Sequence, residues 1–211
     1  MQTLLLLSSG SFLDKDLSGI FDKPLKEYRL AHIINASKGQ GVGSLDYMER
    51  TKNRLLNHNC EFEDIDLDGK NEEQLRDILK NFDGVLVNGG STFYLLKSIR
   101  ESGFEKVLKE LLPKGFIYIG ISAGTYVACP TIEMAFWTNQ DKYHHYDLED
   151  FTGMNLVPFL TTVHYTSEYE DLLREKIPLS KYEVKILTDE QAILVKDDKI
   201  SLLGGDEIKL N

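Results

Sequence analysis

Short β-branched or apolar runs near Leu4–Ser8, Ala31–Asn35, Glu61–Asp66, Gly84–Asn88 and Phe116–Gly120 recur through the first two thirds of the chain. Amphipathic segments near Ser44–Asn57, Asn71–Asn81, Thr92–Ser102 and Glu105–Leu112 lie between them. This alternation predicts βαβ units, and hence an α/β fold with a mostly parallel sheet covered by helices on both faces. Local signals agree with it. Asn71 with Gln74 three residues later resembles a capping box, and Lys114-Gly115 closes the last helix.

After Thr131 the periodicity breaks, and Glu133 to Asp150 is polar and aromatic without a clear element, the expected place for an active-site loop. A further strand, Leu160–Val163, ends at His164 and precedes a helix beginning near Ser167. From Glu183 to Leu210 the chain reads as short strands with turns at Asp197-Asp198 and Gly204-Gly205, expected to add antiparallel strands at one sheet edge. With no internal repeat or low-complexity linker, residues 1–211 are expected to form one domain.

Several classes are disfavoured by composition. A formal net charge of −10 repels phosphate backbones, so nucleic acid is not an expected partner. No apolar run approaches the roughly 20 residues of a membrane span, and Met1-Gln2-Thr3-Leu4 reads as the lead into a first strand instead of a signal peptide. Cys60 and Cys129 have neither disulfide-scaffold nor metal-type spacing, which makes a reducing cytoplasm the simplest setting.

Chemistry concentrates at Gly120-Ile121-Ser122-Ala123-Gly124, a G-x-S-x-G sequence directly after the run Phe116-Ile117-Tyr118-Ile119. A strand that feeds straight into a helix must turn sharply, and small flanking residues let it do so while exposing the serine. Ser122 would need a base within hydrogen-bond reach and a third group to fix that base. Of the five histidines, His32 falls inside an expected buried strand and His58 near a helix end, both expected to be structural. His144 and His145 lie in the irregular loop. His164 ends a strand, at the sheet edge where ligands gather in open α/β sheets. Candidate acids are Glu133, Asp141, Asp147, Glu149 and Asp150, chosen because in elbow hydrolases the acid precedes the histidine.

A second glycine turn, Asn88-Gly89-Gly90-Ser91-Thr92-Phe93, follows the run Gly84–Val87. It is compatible with a phosphate cradle, with an oxyanion donor from Gly89 or Gly90, or with a plain tight turn. No Gly-Lys-Ser/Thr follows and G-x-G-x-x-G is absent, which weakens the nucleotide readings. Lys38 to Gly43 and the aromatic residues Phe136, Trp137, Tyr143 and Tyr146 could line a crevice, although loop packing accounts for them equally.

Taken together, Leu4–Ser8, the Asn88–Leu96 turn and helix start, Tyr118–Gly124, Ala128-Cys129-Pro130-Thr131-Ile132 and Val163-His164-Tyr165 resemble the peptidase E family of serine peptidases, which is related to cyanophycinase. The resemblance implies a fold similar to class I glutamine amidotransferases and hydrolysis of short peptides after an N-terminal Asp, without a metal or cofactor; a monomer or homodimer is expected. It implies Ser122 as nucleophile, His164 as general base, and Gly90 and Ala123 as oxyanion donors. The family's acid follows the Pro-Thr-Ile segment in a Thr-Asn-Asp context, which favours Asp141 of Thr138-Asn139-Gln140-Asp141. Ser91 and Ile121 stand where the family usually carries Asn and Trp, which leaves hydrolysis of another amide or ester, or ligand binding without catalysis, as alternatives. A basic residue to meet an acidic side chain is not evident, with Arg174 and Lys176 downstream of His164.

Overall fold

The computed structural model describes residues 2–39, 43–137, 146–197 and 199–210. The strands are β1 (Thr3–Leu7), β2 (Arg29–Ile33), β3 (Glu61–Ile65), β4 (Gly84–Val87), β5 (Ile117–Ile121), β6 (Leu160–Thr162), β7 (Val184–Ile186), β8 (Ala192–Lys196) and β9 (Lys199–Leu203). The helices are α1 (Gly43–Asn57), α2 (Glu72–Leu79), α3 (Thr92–Ser102), α4 (Phe104–Leu111), α5 (Ala123–Ala128), α6 (Met134–Trp137) and α7 (Glu170–Lys176). Seven strands form one sheet in the order β3-β2-β4-β5-β1-β8-β9. The first five are parallel, while β8 joins β1 and β9 joins β8 antiparallel. The α/β class and the antiparallel C-terminal additions thus hold.

Burial explains the apolar strands. Every residue of β1, β4 and β5 is buried, because the sheet is covered on both sides. Leu4, Leu6, Val85, Val87 and Tyr118 point to the side packed by α2, α3, α4 and α5. Leu5, Leu7, Leu86, Ile119 and Ile121 point to the opposite side, where Leu55 of α1 and the segment around Phe12 to Leu25 lie. The expected capping box is present at α2: the Asn71 carboxamide accepts from Gln74 N–H, and Gln74 accepts from Asn71 N–H.

Three local expectations are corrected. The β7 strand pairs in parallel with β6 in a separate two-stranded sheet instead of extending the main one. Met134–Trp137 is a short helix inside the segment expected to be irregular. Strand β6 stops at Thr162, which leaves His164 beyond it with a left-handed backbone, φ 58°. Asp141, Tyr143, His144 and His145 lie outside the described residues. No helix among the described residues is long and apolar enough to cross a membrane.

Candidate active site

The parallel strands β4, β5 and β1 are neighbours, so the turns after them meet at one edge of the sheet. Strand β5 runs through Ile121 and α5 begins at Ala123, so a single residue, Ser122, makes the reversal. Its backbone sits at φ 50° and ψ −103°, a conformation L-residues adopt at a cost of about 1–3 kcal/mol. Surrounding bonds hold it there. Ser122 N–H donates to Leu7 O at 3.0 Å, and Thr125 Oγ1 lies 2.7 Å from Leu7 O and 2.9 Å from Gly120 O, donating to one of them. Both flanking glycines are sterically required: a Cβ on Gly124 would lie 2.2 Å from Val87 O, and one on Gly120 would lie 2.7 Å from Gly124 O.

His164 approaches Ser122 from the short connection after β6. Its Nε2 is 2.9 Å from Ser122 Oγ, a hydrogen bond in which the hydroxyl donates. Its Nδ1 is 2.5 Å from Asp189 Oδ1. Asp189 sits on the turn from Thr188 to Gln191, closed by Gln191 N–H donating to Thr188 O and by Thr188 N–H donating to the Gln191 side chain. One serine, one imidazole and one carboxylate are therefore in line.

Asp189 was absent from the sequence candidates, all of which precede His164. Two of those candidates serve elsewhere, Glu133 accepting from Ser180 Oγ and Asp150 pairing with Arg100 and Thr152. Asp147 and Glu149 are exposed, and neither is among the described partners of His164. The place of Asp189 is set by strand pairing and not by a local sequence signal. Strand β8 pairs antiparallel with β1, with Ala192 opposite Leu7, so the polar turn just before β8 must lie at the C-terminal end of β1. His32 and His58 are structural as expected: His32 is fully buried with Nδ1 on Asp64, and His58 Nε2 donates to Leu13 O. Arg174 and Lys176 each pair with a glutamate of their own helix. Burial pushes the Cys60 and Cys129 thiols up to about 12, which removes both as nucleophiles.

The glycine turn after β4 supplies the neighbouring wall. Gly89 N–H donates to Asn88 Oδ1 at 3.0 Å and Ser91 N–H donates to Ala36 O at 2.8 Å, so among the described residues the turn leaves Gly90 N–H without such a partner. Gly90 has φ 135°, and a Cβ there would lie 2.4 Å from Ala36 O. Ala123 N–H is the first amide of α5, which starts directly after Ser122 at the end of the neighbouring strand β5. Phe136 packs against Phe93 and Phe151, each at 4.8 Å between ring centres.

Asp68 braces both ends of this turn. Its carboxylate accepts from Asn35 and Lys38, which flank Ala36, and from Tyr94 and Ser98 on α3, the helix the turn leads into. Burial opposes its charge, but the bonds from Lys38, Ser98 and Tyr94 outweigh that and lower its pKa to about 2. An unfolded aspartate titrates near 3.9, so the stabilisation is complete above about pH 4 and is lost as pH falls through about 2. Asp68→Asn is therefore expected to destabilise the fold at pH 7 by roughly 1–2 kcal/mol, after allowance for solvent screening. Urea unfolding at pH 7 and pH 3 checks this: the gap between wild type and variant should narrow at pH 3, and an equal gap at both would refute it.

The sequence pattern of Peptidase family S51 matches residues 4–203. An uncharacterized peptidase of Pasteurella multocida is 29% identical over 206 residues, covering 95% of this chain and 97% of that protein. Peptidase E of a Nostoc species is 30% identical over 174 residues, 78% of this chain and 68% of its own. Among solved structures, a putative peptidase E protein from Listeria monocytogenes superposes with a TM-score of 0.83 at 24% identity, covering 98% of this chain and all of that one, which shows a shared fold.

Proposed function

Since the chain belongs to peptidase family S51 and is a serine-type peptidase, we propose that it cleaves short peptides after an N-terminal aspartate through Ser122, His164 and Asp189. The reading rests on one observation, the line from Ser122 Oγ to His164 Nε2 at 2.9 Å and from His164 Nδ1 to Asp189 Oδ1 at 2.5 Å. Ser122 Oγ attacks the scissile carbonyl carbon while its proton passes to His164 Nε2. Asp189 keeps the other ring proton on Nδ1, so that Nε2 is free to accept, and it stabilises the imidazolium that forms. Negative charge gathers on the carbonyl oxygen, which Gly90 N–H and Ala123 N–H receive. Collapse expels the amine, which takes the proton from Nε2. Water then repeats the sequence on the acyl-serine and frees the aspartate.

Preference for aspartate is supported by the likeness to relatives named peptidase E, and no cation of this chain is assigned to it. A panel of Asp-X, isoAsp-X and Glu-X dipeptides tests the preference directly. Asp-X is expected to be cleaved about tenfold or more faster than Glu-X, because a pocket fitted to the shorter side chain discriminates against one added methylene by about that factor. Equal rates would remove the aspartate assignment, and absence of turnover combined with failure of a fluorophosphonate to label Ser122 would favour ligand binding without catalysis.

A further inference from the structure

Resting on that reading of Ser122 and His164, we propose that Ser8 is a positioning residue that fixes both the base and its carboxylate. Ser8 is fully buried and follows directly on β1, whose last residue is Leu7. Its Oγ accepts the backbone N–H of His164 at 2.7 Å. The same Oγ lies 3.1 Å from Asp189 Oδ1 and 3.4 Å from Leu187 O. A hydroxyl has one proton, and the shorter, charge-assisted contact takes it, so Ser8 donates to Asp189. The oxygen it reaches is the one that His164 Nδ1 also meets.

This arrangement answers a difficulty in the rest of the site. The side chain of Asp189 is 55% exposed, and it stands on a turn, so water competes for its oxygens and its rotamer is not determined by packing. His164 holds a left-handed backbone just past the end of a three-residue strand. Neither residue is anchored by its own element. Ser8 is anchored, because it leaves the central, fully buried β1 and its N–H donates to Gln191 O on the far side of the Asp189 turn. One hydroxyl thereby sets the distance between the imidazole backbone and the carboxylate. The nearby cation does not compete for that carboxylate, since Lys15 is engaged by Glu190 at 2.7 Å.

The test is Ser8→Ala in the full chain, read in two ways. With a cleavable dipeptide, kcat is expected to fall about 10- to 100-fold while KM stays within about twofold, as for a residue that aligns reacting groups without touching substrate. In the resting protein, the downfield proton resonance of His164 Nδ1–H, identified by its absence in His164→Gln, is expected to move upfield or broaden. Ser8→Cys, nearly isosteric and a weak donor, should recover part of both effects, and it carries the test if the alanine variant does not fold. Unchanged kcat in Ser8→Ala, or reduced kcat with an unaltered proton resonance, would overturn the proposal. A wild type that cleaves no peptide yet shows the resonance shift would instead count against the peptidase specificity and leave the positioning role standing.

Discussion

Ser122→Ala is expected to abolish peptide hydrolysis, with kcat reduced roughly a million-fold, or about 8 kcal/mol of lost barrier lowering. The hydroxyl is the only group of the proposed relay that forms a bond to the substrate. Once it is absent His164 has nothing to deprotonate, and what remains is binding and the donation by Gly90 and Ala123. The fold should tolerate the change, because Ser122 Oγ bonds His164 alone among the described residues and its backbone N–H to Leu7 O is retained. Positive φ at this position persists in alanine at no large additional cost, since both residues carry a Cβ. Single-turnover assays together with thermal unfolding check the prediction. Residual activity within a hundredfold of wild type, in protein shown free of wild-type contamination, would take Ser122 out of the mechanism.

Asp189→Asn carries the second large effect, a fall in kcat of about a thousand-fold with KM little changed. In an otherwise intact triad the loss of the carboxylate charge costs roughly ten-thousand-fold, because an amide both fails to stabilise the imidazolium and can hold the ring in the wrong tautomer. The 55% exposure of Asp189 moderates this value, since water takes over part of the charge stabilisation. Asp141→Asn is the paired control. If Asp189 orients His164, the Asp141 variant stays within a few-fold of wild type. The reverse pattern would return the acid to the position that the family resemblance favours and make the contact at Asp189 incidental.

The two residues differ in how they could be found. Ser122 was legible because its constraints are local: a strand, two glycines whose Cβ positions are occupied by backbone oxygens, and the start of a helix all lie within a few residues. The strand cores were legible for a similar reason, since apolar runs such as Leu4–Leu7 register burial on two faces directly. His164 could be selected by its place at a strand end, although the strand stops two residues earlier. Asp189 could not be selected this way. It meets His164 only because β8 returns antiparallel beside β1, and strand partnership between segments 185 residues apart is written in no local periodicity. The same limit explains β7, whose Val184–Ile186 has the composition of a sheet strand but pairs with β6. Choice of partner depends on which edge is free, and that is settled by the whole molecule.

The pairing of β8 with β1 has a consequence for the protein during its synthesis. Strand β1 leaves the ribosome long before the Thr188–Gln191 turn and β8, so a nascent chain can hold the five parallel strands, with Ser122 already on its elbow, before Asp189 exists. Domains acquire structure progressively as they are made, at about 5–20 residues per second. On the proposed mechanism the partly made enzyme therefore has a nucleophile without an oriented base, and hydrolytic competence switches on only when β8 docks beside β1.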